Sequence, residues 1–391
     1  MNEPFDPPAA TGTAPVRVPV RVTAQTSAQV PLVVIGGSAG ALEPLLELVR
    51  ALPPGFPAAV LVVIHLSPDF PSQLPEILRA TTPLPVEQGR DHAPLRPGHI
   101  YVARADHHLL AGQTHISVSR GPRENRYRPS IDVLFRSAAF THGSRVIGVL
   151  LSGMLDDGTS GLWTIKRLGG HAVIQHPEEA QYPSMPLTAA RQIAVDAIVP
   201  VREIVGRLQT ILGAPGFGRE AGAMDNDERR RLELEVGIAR QDNAFGGGIL
   251  NQGDFSAFTC PECHGVLVKL KEGGRLRFRC HTGHAYSAEA LLSDLSASVE
   301  AGLWNALRAL EEEAMLLEHL AKHAAEAELP EQAGRYVQAL ALATDRMREV
   351  RRTIVDVPVP EQAEPGQAEP DRTEPGDTRA GDVSLTGDLT P

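Results

Sequence analysis

Cysteine is scarce in this chain, positive charge is in deficit, and no apolar run is long enough for a membrane. The 391 residues contain 3 cysteines, Cys260, Cys263 and Cys280, all in one short stretch. An odd, clustered set is a poor disulfide framework and a good metal-site signature. Lys and Arg number 37 against 48 Asp and Glu, a net charge of −11. That balance argues against the basic face that a broad nucleic-acid footprint needs. Much of the excess lies in the acidic stretch after Val355, so the main body is closer to neutral. Nothing approaches the roughly 18 consecutive apolar residues of a membrane span, and no early segment has the form of a secretory signal. The expectation is a cytoplasmic protein with no membrane insertion and no nucleic-acid partner.

Punctuation along the chain suggests six regions. Residues 1–30, rich in Pro, Ala, Thr and Val, read as a disordered arm. From 31 to 212, short apolar runs alternate with helical stretches. Strands are expected at 32–35, 59–64, 99–102, 146–151, 171–175 and 197–199. Helices are expected at 42–51, 73–80, 130–141, 159–168 and 186–192. This alternation predicts an α/β fold, a doubly wound, mostly parallel, Rossmann-like sheet covered on both faces. Residues 115–119 look like part of a hairpin near 99–102. Residues 213–257 read as a linker, although 228–236 alternates enough to be a strand. A small cysteine-bearing unit follows at 258–287. Apolar residues then recur at threes and fours, from Leu292 through Leu295, Val299, Leu303, Leu307 and Leu310 to Leu320. Pro330 suits the first turn of a second helix, on which Tyr336, Leu340, Met347, Val350 and Ile354 continue the stripe. A helical hairpin or coiled coil over 288–355, offering a surface for a homodimer, is therefore expected before a disordered acidic tail at 356–391.

The chemistry begins where Val33-Val34-Ile35 runs into Gly36-Gly37-Ser38-Ala39-Gly40. A buried strand, a Gly-rich corner and a helix would hold the Ser38 hydroxyl at the C-terminal edge of the sheet, near backbone N–H groups that can stabilise an oxyanion. A plain turn is one reading. A dinucleotide-binding corner is another, but the spacing is not G-x-G-x-x-G, and the second strand ends in Ile64-His65-Leu66 where a ribose-binding acid belongs. A nucleophilic serine is the third, because His65 would emerge at the same sheet edge and can serve as its base. The imidazole then needs a carboxylate. Asp156 and Asp157, in Ser152-Gly153-Met154-Leu155-Asp156-Asp157-Gly158 after another apolar strand, are the candidates. Backbone amides of the turn at 38–39 and the loop at 153–154 are the expected oxyanion donors. Arg120, Arg123, Arg126 and Arg128 form a basic group that could meet an acidic helix, and His107-His108 has the look of a metal pair.

With Arg128-Pro129-Ser130-Ile131-Asp132-Val133-Leu134-Phe135 and Pro183-Ser184-Met185-Pro186 added, these motifs occur in an order that closely resembles the catalytic domain of the chemotaxis protein-glutamate methylesterases, the CheB family. The resemblance covers about residues 32–204. It implies Ser38 as nucleophile, His65 as general base and acid, and Asp157, which directly precedes the glycine, as the orienting acid. Asp156 stands where the family often has Asn. The implied reaction is hydrolysis of glutamate γ-methyl esters on a methylated chemoreceptor, giving glutamate and methanol without a catalytic cofactor, with glutamine deamidation in some members. Only about 30 residues precede the first expected strand. The N-terminal receiver domain typical of the family is therefore not expected, nor is control by phosphorylation in cis.

The cysteine unit pairs Cys260-Pro261-Glu262-Cys263 with Cys280-His281-Thr282-Gly283-His284, separated by a strand, a Gly-Gly turn and a second strand. Two such knuckles suit tetrahedral Zn²⁺, with Cys260, Cys263, Cys280 and His284 as ligands and His281 in reserve. Four protein ligands would make the ion structural. The reading that competes with an esterase is a catalytically idle signalling adaptor on the same fold; a dinucleotide-dependent oxidoreductase is disfavoured by His65.

Overall fold

The computed structural model describes residues 30–65, 72–219 and 224–355. The tail expected over 356–391, and all but the last residue of the arm expected over 1–30, lie outside the described residues.

The chain opens with β1 (Leu32–Gly37), α1 (Leu42–Ala51), β2 (Ala59–Ile64), α2 (Leu74–Arg79), β3 (Val86–Gln88) and β4 (Ile100–Val102). A hairpin, β5 (His108–Ala111) and β6 (Ile116–Ser119), precedes α3 (Ile131–His142). The alternation resumes with β7 (Val146–Leu150), α4 (Thr159–Arg167), β8 (His171–Gln175), α5 (Ser184–Gln192), β9 (Ala197–Val199) and α6 (Val201–Leu212). Seven strands form one sheet in the order β3-β4-β2-β1-β7-β8-β9, and every pair is parallel. The doubly wound sheet expected from the sequence is thus present.

β1 is apolar on both faces because both are covered. Val33 and Ile35 join Leu45, Leu48, Ile204 and Leu208 of α1 and α6 on one side. Leu32 and Val34 join Ile131, Leu134, Phe135, Leu162 and Met185 of α3, α4 and α5 on the other. Burial on two faces is what turns an alternating strand into a continuous apolar run. The chain leaves β1 toward β2 on one side and returns through β7 on the other. The crevice beyond the C-terminal ends of these three strands is therefore the topological switch point, where doubly wound sheets bind ligands.

The hairpin expected at 115–119 is present, with 116–119 pairing antiparallel with β5 outside the main sheet. β3, three residues long, carries no pattern to read. The strand expected at 228–236 is a helix, α7 (Asn226–Ala239). Asp225 caps it by accepting from the amides of Asp227 and Glu228 at 2.9 and 2.8 Å. Its buried Leu232, Val236 and Ala239 lie at helical spacing and pack with Leu110 and Val133. The alternation of Leu232, Leu234 and Val236 was incidental, and the stretch expected as a linker carries a docked helix.

A four-stranded antiparallel ribbon follows: β10 (Asp254–Thr259), β11 (Val266–Glu272), β12 (Arg275–Cys280) and β13 (Ala285–Ser287). It meets the parallel-sheet domain through a buried cluster of charges. Glu124 pairs with Arg136 of α3 at 2.9 Å, with Arg279 at 3.2 Å and with Arg277, and Glu235 of α7 pairs with Arg136 at 3.0 Å and Arg277 at 2.9 Å. Burial opposes the charge on Glu124, but the guanidiniums of Arg136, Arg279 and Arg277 outweigh it and hold the carboxyl far below its usual range.

A long helix, α8 (Ala288–Glu326), and α9 (Pro330–Val355) complete the described chain. The chain from Val299 onward is a second compact unit. Within it Leu307, Ala324 and Ala343 are buried and Arg351 pairs with Glu311 at 2.7 Å. Two members of the expected stripe, Leu292 and Val299, are exposed. No helix among the described residues is long and apolar enough to cross a membrane.

Candidate active site

Ser38 follows β1, His65 follows β2 and Asp157 follows β7, so adjacent strands deliver all three to one edge. Main-chain bonds fix the serine corner: Ser38 donates its N–H to the Ser152 carbonyl at 2.9 Å and accepts from the Ala41 amide at 3.1 Å. Gly153 is required nearby, since a Cβ there would fall 2.7 Å from Met185 Sδ and 3.0 Å from Ser38 Cβ. Met185, in the motif at the start of α5, is fully buried against this point.

His65 Nδ1 lies 3.1 Å from Ser38 Oγ, and its Nε2 lies 2.8 Å from Asp157 Oδ2. Asp157 is 2 % exposed. Burial raises its pKa, but the hydrogen bond and charge of His65, the amide of Asn125 and the Ile131 N–H together hold it below the ordinary value. Asp157 is therefore ionised, the ring proton sits on Nε2, and Nδ1 is left to accept from the serine hydroxyl. The carboxylate also accepts from the Asp132 N–H at 3.2 Å, the Ile131 N–H at 2.8 Å and the Ser130 hydroxyl at 3.0 Å, at the N-terminus of α3. Unpaired helix N–H groups favour a negative charge there. Burial, followed by the charge on Asp157, pushes the neighbouring Asp132 well above the carboxylate range. The His65 ring stacks on Tyr127 with centroids 3.6 Å apart.

Asp156 points elsewhere, accepting from Ser287 Oγ at 2.7 Å. Burial, against the Ser287 hydrogen bond and with Glu289 nearby, raises its pKa to about 7. Of the four backbone groups expected as oxyanion donors, Ser38 N–H and Gly153 N–H are already bonded, to the carbonyls of Ser152 and Tyr182. Among the described residues the amides of Ala39 and Met154 have no acceptor and remain available. The arginine group is mostly engaged within the chain: Arg120 and Arg128 share Asp106, and Arg126 pairs with Asp294. His108 is a core residue; burial lowers its pKa to about 4, and it bonds the Pro122 carbonyl and the Ser130 amide. Sequence reading missed Asn125, whose amide donates to Asp157 at 2.9 Å, and Tyr127; neither sits in a motif that announces chemistry.

A serine whose hydroxyl meets an imidazole, itself held by a buried carboxylate, beside two free amides, is equipped for acyl transfer. Residues 33–208 match the CheB methylesterase family. They form a CheB methylesterase domain. The chain is 38% identical over 189 residues to protein-glutamate methylesterase/protein-glutamine glutaminase 3 of Burkholderia lata, covering 47% of this chain and 52% of that protein. It is likewise 38% identical over 185 residues to the enzyme numbered 2 of Anaeromyxobacter dehalogenans, covering 47% and 54%. The chain thus spans about half the length of the curated relatives it matches. The crystal structure of the Thermotoga maritima CheB methylesterase catalytic domain is 31% identical, with 46% of this chain and 96% of that one covered and a TM-score of 0.44.

Beyond the methylesterase domain, the two knuckles bring Cys260, Cys263, Cys280 and His284 together, with ligand atoms all within 4.8 Å of one another. Cys263 Sγ lies 3.6 Å from Cys280 Sγ, and His284 Nδ1 lies 3.7 Å from the sulfurs of Cys260 and Cys280. A tetrahedron with Zn–S bonds of about 2.3 Å has edges of about 3.8 Å, so the residues fit the ion. Gly283, at φ 101°, makes the bend that turns His284 inward, and Glu262 holds its other nitrogen at 3.2 Å. His281 is outside this group of four.

Proposed function

We propose that this chain is a serine-dependent hydrolase of glutamate γ-methyl esters on a methylated chemoreceptor-like protein, working in the cytoplasm, with glutamine deamidation as a second reaction of the same site. The observation that carries the reading is the continuous hydrogen-bonded relay from Ser38 through His65 to Asp157. Ser38 Oγ bonds to the ester carbonyl carbon while its proton passes to His65 Nδ1, and Asp157 stabilises the imidazolium. The tetrahedral oxyanion accepts from the amides of Ala39 and Met154. Collapse breaks the bond to the methoxy oxygen, which takes the proton from His65 and leaves as methanol. Water then adds to the acyl-enzyme with His65 again the base, releasing glutamate and regenerating Ser38. With glutamine the leaving group is ammonia. Zn²⁺ held by Cys260, Cys263, Cys280 and His284 would supply structural rigidity and no reacting group, since four protein ligands leave no open position.

The test is methanol release from membranes bearing methylated chemoreceptors, wild type against Ser38→Ala. A loss of about 10⁴-fold or more is expected in the variant. Release undiminished by Ser38→Ala would refute the assignment, and no release from a folded wild type would favour the adaptor.

A further inference from the structure

We propose that Asn125 is a positioning residue for Asp157, and that the Cys/His ribbon holds Asn125 in place, which makes the ribbon a working part of the active site. The inference rests on the esterase reading for the role of Asp157. Asn125 is 3 % exposed, and its carboxamide is fully committed. Its Nδ2 donates to Asp157 Oδ1 and to Asp132 Oδ2, both at 2.9 Å, and its Oδ1 accepts from the main-chain N–H of Ser287, in β13 of the ribbon, at 2.8 Å. A single side chain therefore links the ribbon to the carboxylate that orients His65.

The backbone around it is shaped by the same contact. Paired bonds between Glu124 and Tyr127 close a tight turn, with Asn125 at φ 52° and Arg126 at φ 76°. That turn type wants glycine at its second centre, and an arginine in the left-handed region needs holding from outside. The ribbon side provides the hold. Asn125 N–H donates to the Ala285 carbonyl at 2.8 Å, and Ala285 N–H donates to the Arg123 carbonyl at 3.2 Å. The Arg126 guanidinium reaches Asp294 and donates to Ser293 at 2.8 Å, while Glu124 is locked among Arg136, Arg277 and Arg279. The opposite face of the turn presents Asn125 to Asp157 and the Tyr127 ring to His65. Ser287 acts twice, through its N–H toward Asn125 and through its hydroxyl on Asp156.

Two readouts on the full-length protein test this. The first is the rate at which a fluorophosphonate modifies Ser38, its phosphorus bonding Oγ as fluoride leaves, followed by intact mass. The second is the NMR resonance of the His65 Nε2 proton. Asn125→Ala should slow labelling by about 10- to 100-fold, the worth of a hydrogen bond to a charged group, with half-saturation by the probe little changed. It should also shift or broaden the Nε2 proton. Asp294→Ala, in α8 directly after the ribbon, removes the ion pair that tethers Arg126 and should slow labelling by about two- to fivefold. A folded Asn125→Ala protein that labels within about twofold of wild type, with an unmoved Nε2 proton, overturns the proposal. If that variant fails to fold, unchanged labelling and an unmoved proton in Asp294→Ala overturn it instead. Wild type that labels at Ser38 but releases no methanol would sink the methyl-ester reading alone; wild type that does not label would sink the serine reading, and the Nε2 proton would still judge Asn125.

Discussion

The parallel-sheet domain and the ribbon that leans on it are stabilised by different forces. The sheet buries two continuous apolar layers, one on each face, and its strands are mostly Val, Ile and Leu. The ribbon has one small apolar cluster around Leu267, Phe278, Tyr286 and Leu291, into which Cys260 and Cys280 are built. Its attachment is polar, through buried Arg–Glu pairs and the Asn125–Ser287 link. Burial of apolar surface is non-directional and tolerant, whereas buried ion pairs and metal ligands demand geometry and fail abruptly when one member is lost. The site sits where the two regimes meet: its serine and histidine ride on the sheet, and its carboxylate is steadied from the ribbon side.

The largest break should come from the Cys/His cluster. Cys280→Ser, or a strong chelator, should accelerate hydrogen exchange of the β11 and β12 amides by about 100-fold or more while β1, β2 and β7 keep their protection. Equal protection of both regions after ligand loss would mean that the ribbon does not depend on an ion. Glu124→Ala comes next. It strips two buried guanidiniums of the ribbon, and that of Arg136, of a partner and should cost about 3–5 kcal/mol in urea unfolding. A cost under about 1 kcal/mol would mark the ion cluster as incidental.

The last effect concerns Asp156 and shows only as pH rises. Its folded pKa is raised to about 7 from an ordinary 3.8. Stability from the neutral form is therefore complete below about pH 4 and lost as pH rises through about 7. Asp156→Asn should nearly match wild type at pH 4 and exceed it by about 4 kcal/mol at pH 8. Unfolding midpoints with the same offset at both pH values would show that Asp156 does not titrate between them.

Much of the fold was legible because its strands are apolar on both faces and punctuated by glycine. The βα alternation predicted strands at 59–64, 171–175 and 197–199, and these match β2, β8 and β9 residue for residue. α7 was misread because a charged amphipathic helix with apolar residues at 232, 234 and 236 mimics an alternating strand over a short window; the cap at Asp225 was the signal that could have corrected it. The proposed oxyanion donors were legible only as a group of four. Which amides are free depends on where Ser152 and Tyr182 place their carbonyls, and no local pattern encodes that.

The sequence by itself determined the apolar strands, the glycine corner carrying Ser38, the positions of His65 and the Asp156-Asp157 pair after strands, and two cysteine knuckles. These depend on periodicity and on residues close together in the chain. Only the tertiary structure decided which amides stay unbonded and that Glu235 belongs to a buried ion cluster. It alone joined Asn125 to Ser287, 162 residues away along the chain. The reason is physical: hydrogen bonds and ion pairs act over a few ångströms and need particular orientations, so their partners are chosen by how strands and helices pack.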